Sequence, residues 1–171
     1  MTPTFVDGVD SIIREVEFVE QHVHNRERWF GKSADQSGND WALESGLTVY
    51  RAISGNGAFG ADANDEAKLL GSADTPFRTG MVKYDAHRLM ISAVSNANDC
   101  VLRLIWGTGT MAAAETALQY SDLMITDAKK GGPIPVIMRR IAVGTLLWAR
   151  LKNGTDNATI DFFLGIHEYD L

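Results

Sequence analysis

The sequence contains a single cysteine, Cys100, among its 171 residues. An intrachain disulfide is therefore excluded, and the apolar run around Cys100 predicts a buried thiol, because unpaired cysteines are among the most buried residue types. The sequence also lacks a run of about 18 apolar residues, the length that a membrane helix requires. Its first residues lack the basic and then apolar pattern of a secretion signal. We therefore expect an intracellular protein, or one assembled inside a cell, without a membrane partner.

Basic residues are fewer than acidic ones, with 16 Lys and Arg against 22 Asp and Glu and a formal net charge of -6. They are also scattered, and the densest group is the pair Arg139–Arg140. Binding along a phosphate backbone needs clustered positive charge, so we expect no nucleic-acid partner. The arginine pair is interpreted as two solvated charges at the end of a strand.

Residues 9–30 show apolar residues that recur by three and four positions, which is a heptad pattern. The apolar residues of this seam are Val9, Ile12, Val16, Val19, Val23 and Phe30. The pattern predicts a helix that ends at Trp29-Phe30-Gly31, followed by a polar linker over 32–40. A strand across Glu15–Val19, where charged and apolar residues alternate, is the alternative. The seam either packs on the body of the protein or mediates self-association.

From Trp41 onward the chain reads as roughly eight short strands separated by turn residues, without βαβ helices. This pattern predicts an all-β domain over 41–171 that follows an N-terminal helical extension or arm over 1–40. The expected architecture is an antiparallel β-sandwich, most plausibly a jelly roll, with an immunoglobulin-like sandwich as the alternative. Tyr120–Thr126 is one of the predicted strands, and Gly107–Gln119 is read as a short helix or a loop.

Two hairpins are predicted within this domain. In the first, Val143–Leu151 and Ala158–Glu168 flank a turn rich in Asn, Gly and Asp. In the second, Leu89–Val94 is followed by a tight turn and by Cys100–Trp106.

In the last predicted strand, alternate apolar residues define one face: Ile160, Phe162, Leu164 and Ile166. The opposite face carries Phe163 among polar residues. We expect this second face, with Phe163 and Tyr169, to meet the other sheet or a neighbouring subunit.

The histidines offer little that would support catalysis. His22 and His24, followed by Glu27 and Gly31, resemble the metal-binding motif of the cupins, but Val16 stands where that motif has a glycine. On a helix the two histidines point roughly 200° apart and cannot share one ion. A cupin-like metalloenzyme therefore stays only a further alternative.

The other histidines each have an acidic neighbour. His167 and Glu168 are adjacent on a strand and face opposite sides, so they cannot form a dyad. Asp85 and His87 could share a face, but no nucleophile is marked beside them. We expect a protein that is not an enzyme, with no cofactor, no metal and no catalytic residue.

The four tryptophans are spread along the chain, and core packing accounts for most of them. A platform of one or two aromatic rings for sugar binding stays open. A carbohydrate-binding module is accordingly one alternative function.

Four segments together resemble proteins of tailed-phage virions: Glu20–Gly31, Gly71–Pro76, Lys83–Arg88 and Ile160–Tyr169. The chain is most similar to jelly-roll capsid decoration, or cement, proteins, and the alternative is a carbohydrate- or receptor-binding β-sandwich module of a phage tail or fibre. The resemblance implies a virion protein, assembled in the host cytoplasm, that forms a homo-oligomer, with a trimer favoured, and binds the major capsid protein. The residues expected to form the assembly interface are Val9, Ile12, Val16, Val19, Val23, Trp29, Phe30, Phe163 and Tyr169.

Overall fold

A computed structural model describes residues 27–31, 49–60, 68–70, 77–95, 99–126 and 132–170. These residues form ten strands and one short helix. In chain order they are β1 (Glu27–Phe30), β2 (Tyr50–Asn56), β3 (Lys68–Leu70), β4 (Lys83–Val94), β5 (Cys100–Gly107), α1 (Met111–Thr116), β6 (Tyr120–Ile125), β7 (Ile134–Pro135), β8 (Ile141–Ala142), β9 (Leu146–Asn153) and β10 (Thr159–Tyr169). The predicted all-β class is confirmed.

The strands belong to one curled sheet with the order β6-β5-β9-β2-β10-β4-β7. Three short strands are added beside this path: β1 pairs with β10, β3 with β9 and β8 with β4. Strand β2 joins the two halves of the sheet, because its first residues pair with β10 and its last residues pair with β9. It is antiparallel to β10 but parallel to β9. The sheet is therefore mixed, which corrects the expectation of a purely antiparallel one, while the jelly-roll topology stays a prediction.

Both predicted hairpins are wrong. Strands β9 and β10 follow one another along the chain, yet β2 lies between them in the sheet. The turn that joins them bonds to Ser54 of β2: the amide of Asn157 donates to its carbonyl at 3.0 Å, and the amide of Ala158 donates to its hydroxyl at 3.0 Å. In the same way β4 pairs with β10, while β5 pairs with β9 and β6. Each predicted turn instead carries the chain from one half of the sheet to the other.

The inward face of β10 is the one predicted from its alternation. Ile160, Phe162, Leu164 and Ile166 are all completely buried. They belong to a single apolar core that includes Tyr50 from β2, Leu89 from β4 and residues from β5 and β9. Burying each such side chain contributes about 1.5–3 kcal/mol, so this face anchors the sheet.

Residues 27–30 correct the predicted N-terminal helix. They form β1, which is antiparallel to Leu164–His167 of β10. Phe30 is completely buried and its ring centroid lies 6.0 Å from that of Phe77. A helix here would leave this part of the β10 edge without backbone partners.

Several other expectations concern residues 1–26 and 32–48, which lie outside the described residues. Among them are the seam from Val9 to Val23, the alternative strand over 15–19, the linker and the domain boundary near residue 40.

The remaining local predictions can be compared directly. Helix α1 confirms the helical alternative for 107–119, and the Thr110 hydroxyl caps it by accepting from the amide of Ala113 at 3.2 Å. Strand β6 confirms the predicted strand at 120–126, and Cys100 is buried as expected. In the part of the chain that the structure describes, no helix is long and apolar enough to span a membrane.

Candidate functional site

A bulge between β4 and β10 brings polar side chains together near the end of the sheet. Asp85 lies opposite His167, but the register shifts so that Ala86 faces Ile166 and Arg88 faces Gly165. His87 is the additional residue in β4. Its imidazole stacks on that of His167, with ring centroids 4.1 Å apart and planes inclined by 21°.

Tyr169 and Arg140 complete this group. The Tyr169 hydroxyl donates to Asp85 Oδ2 at 2.9 Å and lies 3.4 Å from His167 Nδ1. The guanidinium of Arg140 lies 3.9 Å from the centroid of the Tyr169 ring, and its Nε is 4.0 Å from Asp85 Oδ2. We call Asp85, His87, Arg140, His167 and Tyr169 the Arg140 cluster.

The electrostatics of the cluster favour a neutral phenol. Burial, reinforced by the neighbouring Asp85 carboxylate, raises the pKa of Tyr169 to about 12, although Arg140 acts in the opposite direction. At neutral pH Tyr169 is therefore a hydrogen-bond donor to Asp85. Since His167 is 2% exposed and Asp85 is 7% exposed, these two groups are shielded from solvent, and the cluster is better suited to holding Arg140 in place than to attacking a substrate.

A cavity of about 230 Å³ lies beside Arg140, between the C-terminal end of β5 and the turn that joins β8 to β9. Its lining residues are Trp106, Gly107, Thr108, Gln119, Arg139, Arg140, Ile141, Ala142 and Thr145. Hydrogen bonds to backbone carbonyl groups fix both walls of the cavity. The Trp106 amide donates to the Gln119 carbonyl at 3.0 Å, and the buried Tyr84 hydroxyl donates to the Thr145 carbonyl at 2.6 Å.

Two nitrogen donors of residues that line this cavity are buried. Trp106 Nε1 and Arg140 Nη2 have no hydrogen-bond acceptor within the described ranges. Buried donors are nearly always paired, so each of these is an informative exception. Among the described residues, the lining includes two arginines and several neutral polar residues but no Asp or Glu.

The outward face of β10, opposite the buried face of Phe162 and Leu164, carries a different feature. Phe163 pairs with Met90 of β4, and Trp29 of β1 pairs with Gly165, two residues farther along β10. The three side chains therefore share one face of the sheet. Trp29 and Phe163 are half-buried and Met90 is 38% exposed. We call Trp29, Met90 and Phe163 the outer apolar patch.

The residues predicted to form an interface thus divide into groups. Trp29 and Phe163 are brought together in the outer apolar patch, whereas Phe30 lies in the core and Tyr169 in the Arg140 cluster. Val9, Ile12, Val16, Val19 and Val23 lie outside the described residues.

The histidine predictions can be followed in the same way. His167 faces Asp85, while Glu168 binds Arg28 and Arg78, which confirms that His167 and Glu168 are not a dyad. Asp85 and His87 do belong to one cluster. His22 and His24 lie outside the described residues, but Glu27 of the cupin-like motif is in β1 and pairs with Arg88.

Sequence reasoning missed Arg140 and Trp106. Arg140 is half-buried against Tyr169, so its interpretation as a solvated charge is wrong, whereas Arg139 is exposed. The one available signal was that these two arginines form the densest basic group in an acidic chain.

Comparison of the chain with protein-family models, with curated proteins and with solved structures gives no match.

Proposed function

We propose that this chain is a non-enzymatic structural protein of a virion, a capsid decoration protein that forms a homo-oligomer and binds the major capsid protein. The observation that carries the proposal is the outer apolar patch. Partly exposed aromatic side chains and methionine are the residues enriched at protein interfaces. Here a tryptophan, a phenylalanine and a methionine lie side by side on a sheet face.

The patch rests on rigid elements. Arg88 forms an ion pair with Glu27, whose side chain is 2% exposed, and its guanidinium lies 5.6 Å from the Trp29 ring centroid. Phe163 is on β10, which pairs with three other strands of the sheet. Side chains held in this way lose little conformational entropy when a partner covers them, which favours association.

The similarity of four segments to tailed-phage virion proteins supports the same role. It favours a trimer over other oligomers and a capsid shell as the surface to which the oligomer binds. The location of the protein in a virion follows from this proposal.

Native mass spectrometry of the full chain tests the oligomer. We expect a species with three copies of the 18.7 kDa chain. The double variant Trp29→Ser/Phe163→Ser should shift the population to monomer because it removes apolar contact area from the patch. The matched control is Ile137→Ser, since Ile137 is 86% exposed, follows β7 and is not one of the three patch residues.

Circular dichroism of each variant shows whether the fold is retained. A wild-type monomer at micromolar concentration, or a folded double variant that stays trimeric, would count against the proposal.

Co-sedimentation with shells assembled from the major capsid protein encoded nearest to this reading frame tests the second partner. Binding by the wild type and by Ile137→Ser, but not by the double variant, is the expected result.

A further inference from the structure

We propose that the cavity beside Arg140 binds an oxyanion, the carboxylate or phosphate group of a small molecule. This site is separate from the outer apolar patch, and the inference does not depend on an assembly role. It rests on three features of the cavity: the charge of its lining, its two buried donors and its size.

The charge of the lining contrasts with that of the chain. The protein has a formal net charge of -6, yet the cavity lining contains Arg139 and Arg140 and no acidic residue from the described ranges. The carboxylate nearest to Arg140 in the cluster, that of Asp85, lies 4.0 Å from the Nε of Arg140 and also accepts from Tyr169. An anion in the cavity would therefore meet guanidinium groups that Asp85 only partly neutralises.

The buried donors indicate what kind of group is bound. Trp106 is 7% exposed, and neither its Nε1 nor Arg140 Nη2 finds an acceptor in the described part of the chain. Indole and guanidinium groups donate hydrogen bonds and cannot accept them. A ligand that satisfies both must bring acceptor oxygens, as an oxyanion does.

The size and rigidity of the cavity restrict the ligand further. Its volume of about 230 Å³ is below the ~300–1,000 Å³ of pockets for drug-sized molecules. A phosphate group or a single sugar acid is of suitable size, and Thr108, Gln119 and Thr145 offer neutral partners for additional hydroxyl groups. The cation–π contact with Tyr169 holds Arg140 in position before a ligand arrives.

Titration of ¹⁵N-labelled protein with inorganic phosphate, with glucuronate and with glucose tests this inference. We expect saturable binding of phosphate, of glucuronate or of both, and no binding of the neutral sugar. The two charged probes distinguish a phosphate ligand from a carboxylate ligand. The indole N–H resonance of Trp106, assigned by its loss in Trp106→Phe, should move on binding, while that of Trp29 stays in place.

Arg139→Gln is the decisive variant because Arg139 lines the cavity and is exposed, so the fold should tolerate the change. It should weaken binding of the charged probe by about tenfold, the effect of losing one charge-assisted hydrogen bond. Lys152→Gln removes the same charge from an exposed position that does not line the cavity and should leave binding unchanged.

Absence of saturable binding by both charged probes would overturn the inference. Equal binding by Arg139→Gln and wild type, or equal losses in Arg139→Gln and Lys152→Gln, would overturn it as well. The titration is informative for a monomer and for a trimer, so its failure is distinguishable from failure of the proposed assembly role.

Discussion

At the scale of single residues, the side chain of Glu168 has no exposed surface, and two arginines surround its carboxylate. Arg28 Nη1 donates to both of its oxygens at 2.8 and 3.0 Å. Arg78 adds an ion pair at 3.4 Å and a backbone N–H at 2.9 Å. The pair Arg51–Asp161 has equally short contacts of 2.7 Å, but Arg51 is 58% exposed. The two pairs therefore separate the effect of burial from the effect of geometry.

Arg28→Met should lower the free energy of unfolding by about 3 kcal/mol, because it leaves a buried carboxylate short of one partner. Arg51→Met should cost less, about 1 kcal/mol, since the Asp161 side chain keeps 12% of its surface exposed and gains access to solvent when the exposed Arg51 is removed. Urea denaturation of both variants measures the difference. Similar costs for the two would contradict the assigned role of burial.

Tyr169 predicts a dependence of stability on alkaline pH. Its phenol ionises near pH 10 in the unfolded chain but keeps its proton to about pH 12 in the fold. Between these values the folded state binds more protons, so the free energy of unfolding falls as the pH rises. Tyr169→Phe should make this fall shallower when urea unfolding is measured from pH 9 to pH 12.

Tyr84 provides the internal reference for this experiment. Burial also raises its pKa and that of Tyr50, so part of the fall should persist in Tyr169→Phe. Parallel curves for wild type and Tyr169→Phe would contradict the prediction.

At the scale of elements, the contact of β1 with β10 depends on a missing side chain. The position that a Cβ of Gly165 would occupy is filled by the Glu27 carboxyl group, which pairs with Arg88. This glycine therefore allows a charged group of one strand to lie directly over the backbone of its neighbour. No left-handed backbone is involved, so the requirement is purely one of space.

Gly165→Ala should destabilise the protein by about 1–3 kcal/mol because the new methyl group displaces the Glu27–Arg88 pair. Gly109→Ala is the matched control, since a Cβ there meets no atom within 4 Å. Thermal unfolding of the two variants measures the effect. A Gly165→Ala variant as stable as the control would refute the steric argument.

The strands and the buried face of β10 could be predicted from sequence because alternation and turn residues are local signals. Strand pairing could not, since an Asn- and Gly-rich turn gives the same signal whether its two arms pair or β2 lies between them. Residues 27–30 were mispredicted because their spacing continued the heptad pattern from Val9, while a distant partner, β10, determined their conformation. The cavity could not be predicted from sequence either, because its lining comes from segments that are distant along the chain. Arg140 contacts Tyr169 and lines the same cavity as Trp106 only in the folded sheet.

At the scale of the whole molecule, β2 is shared by the two halves of the sheet. Ala52 on β2 is buried in the core that both halves form. Neither half keeps a complete set of backbone partners if β2 leaves, so the halves should unfold together.

Hydrogen exchange tests this coupling. The most protected amides of β5 and of β10 should report the same free energy of opening. Ala52→Gly should lower both values equally, because it weakens the strand that they share. A selective loss on one side would show that the halves are independent.

Strand β2 and its neighbours also determine when the sheet can form. Arg28 and Glu168 are 140 residues apart in the chain, and Arg51 and Asp161 are 110 apart. Folding must therefore close very large loops before its central contacts form, which places it among slow, high-contact-order reactions on a scale of milliseconds to seconds. During synthesis β1, β2 and β4 are made before β10, the strand with which all three pair. Until β10 is made, their unpaired edges can pair with other nascent chains.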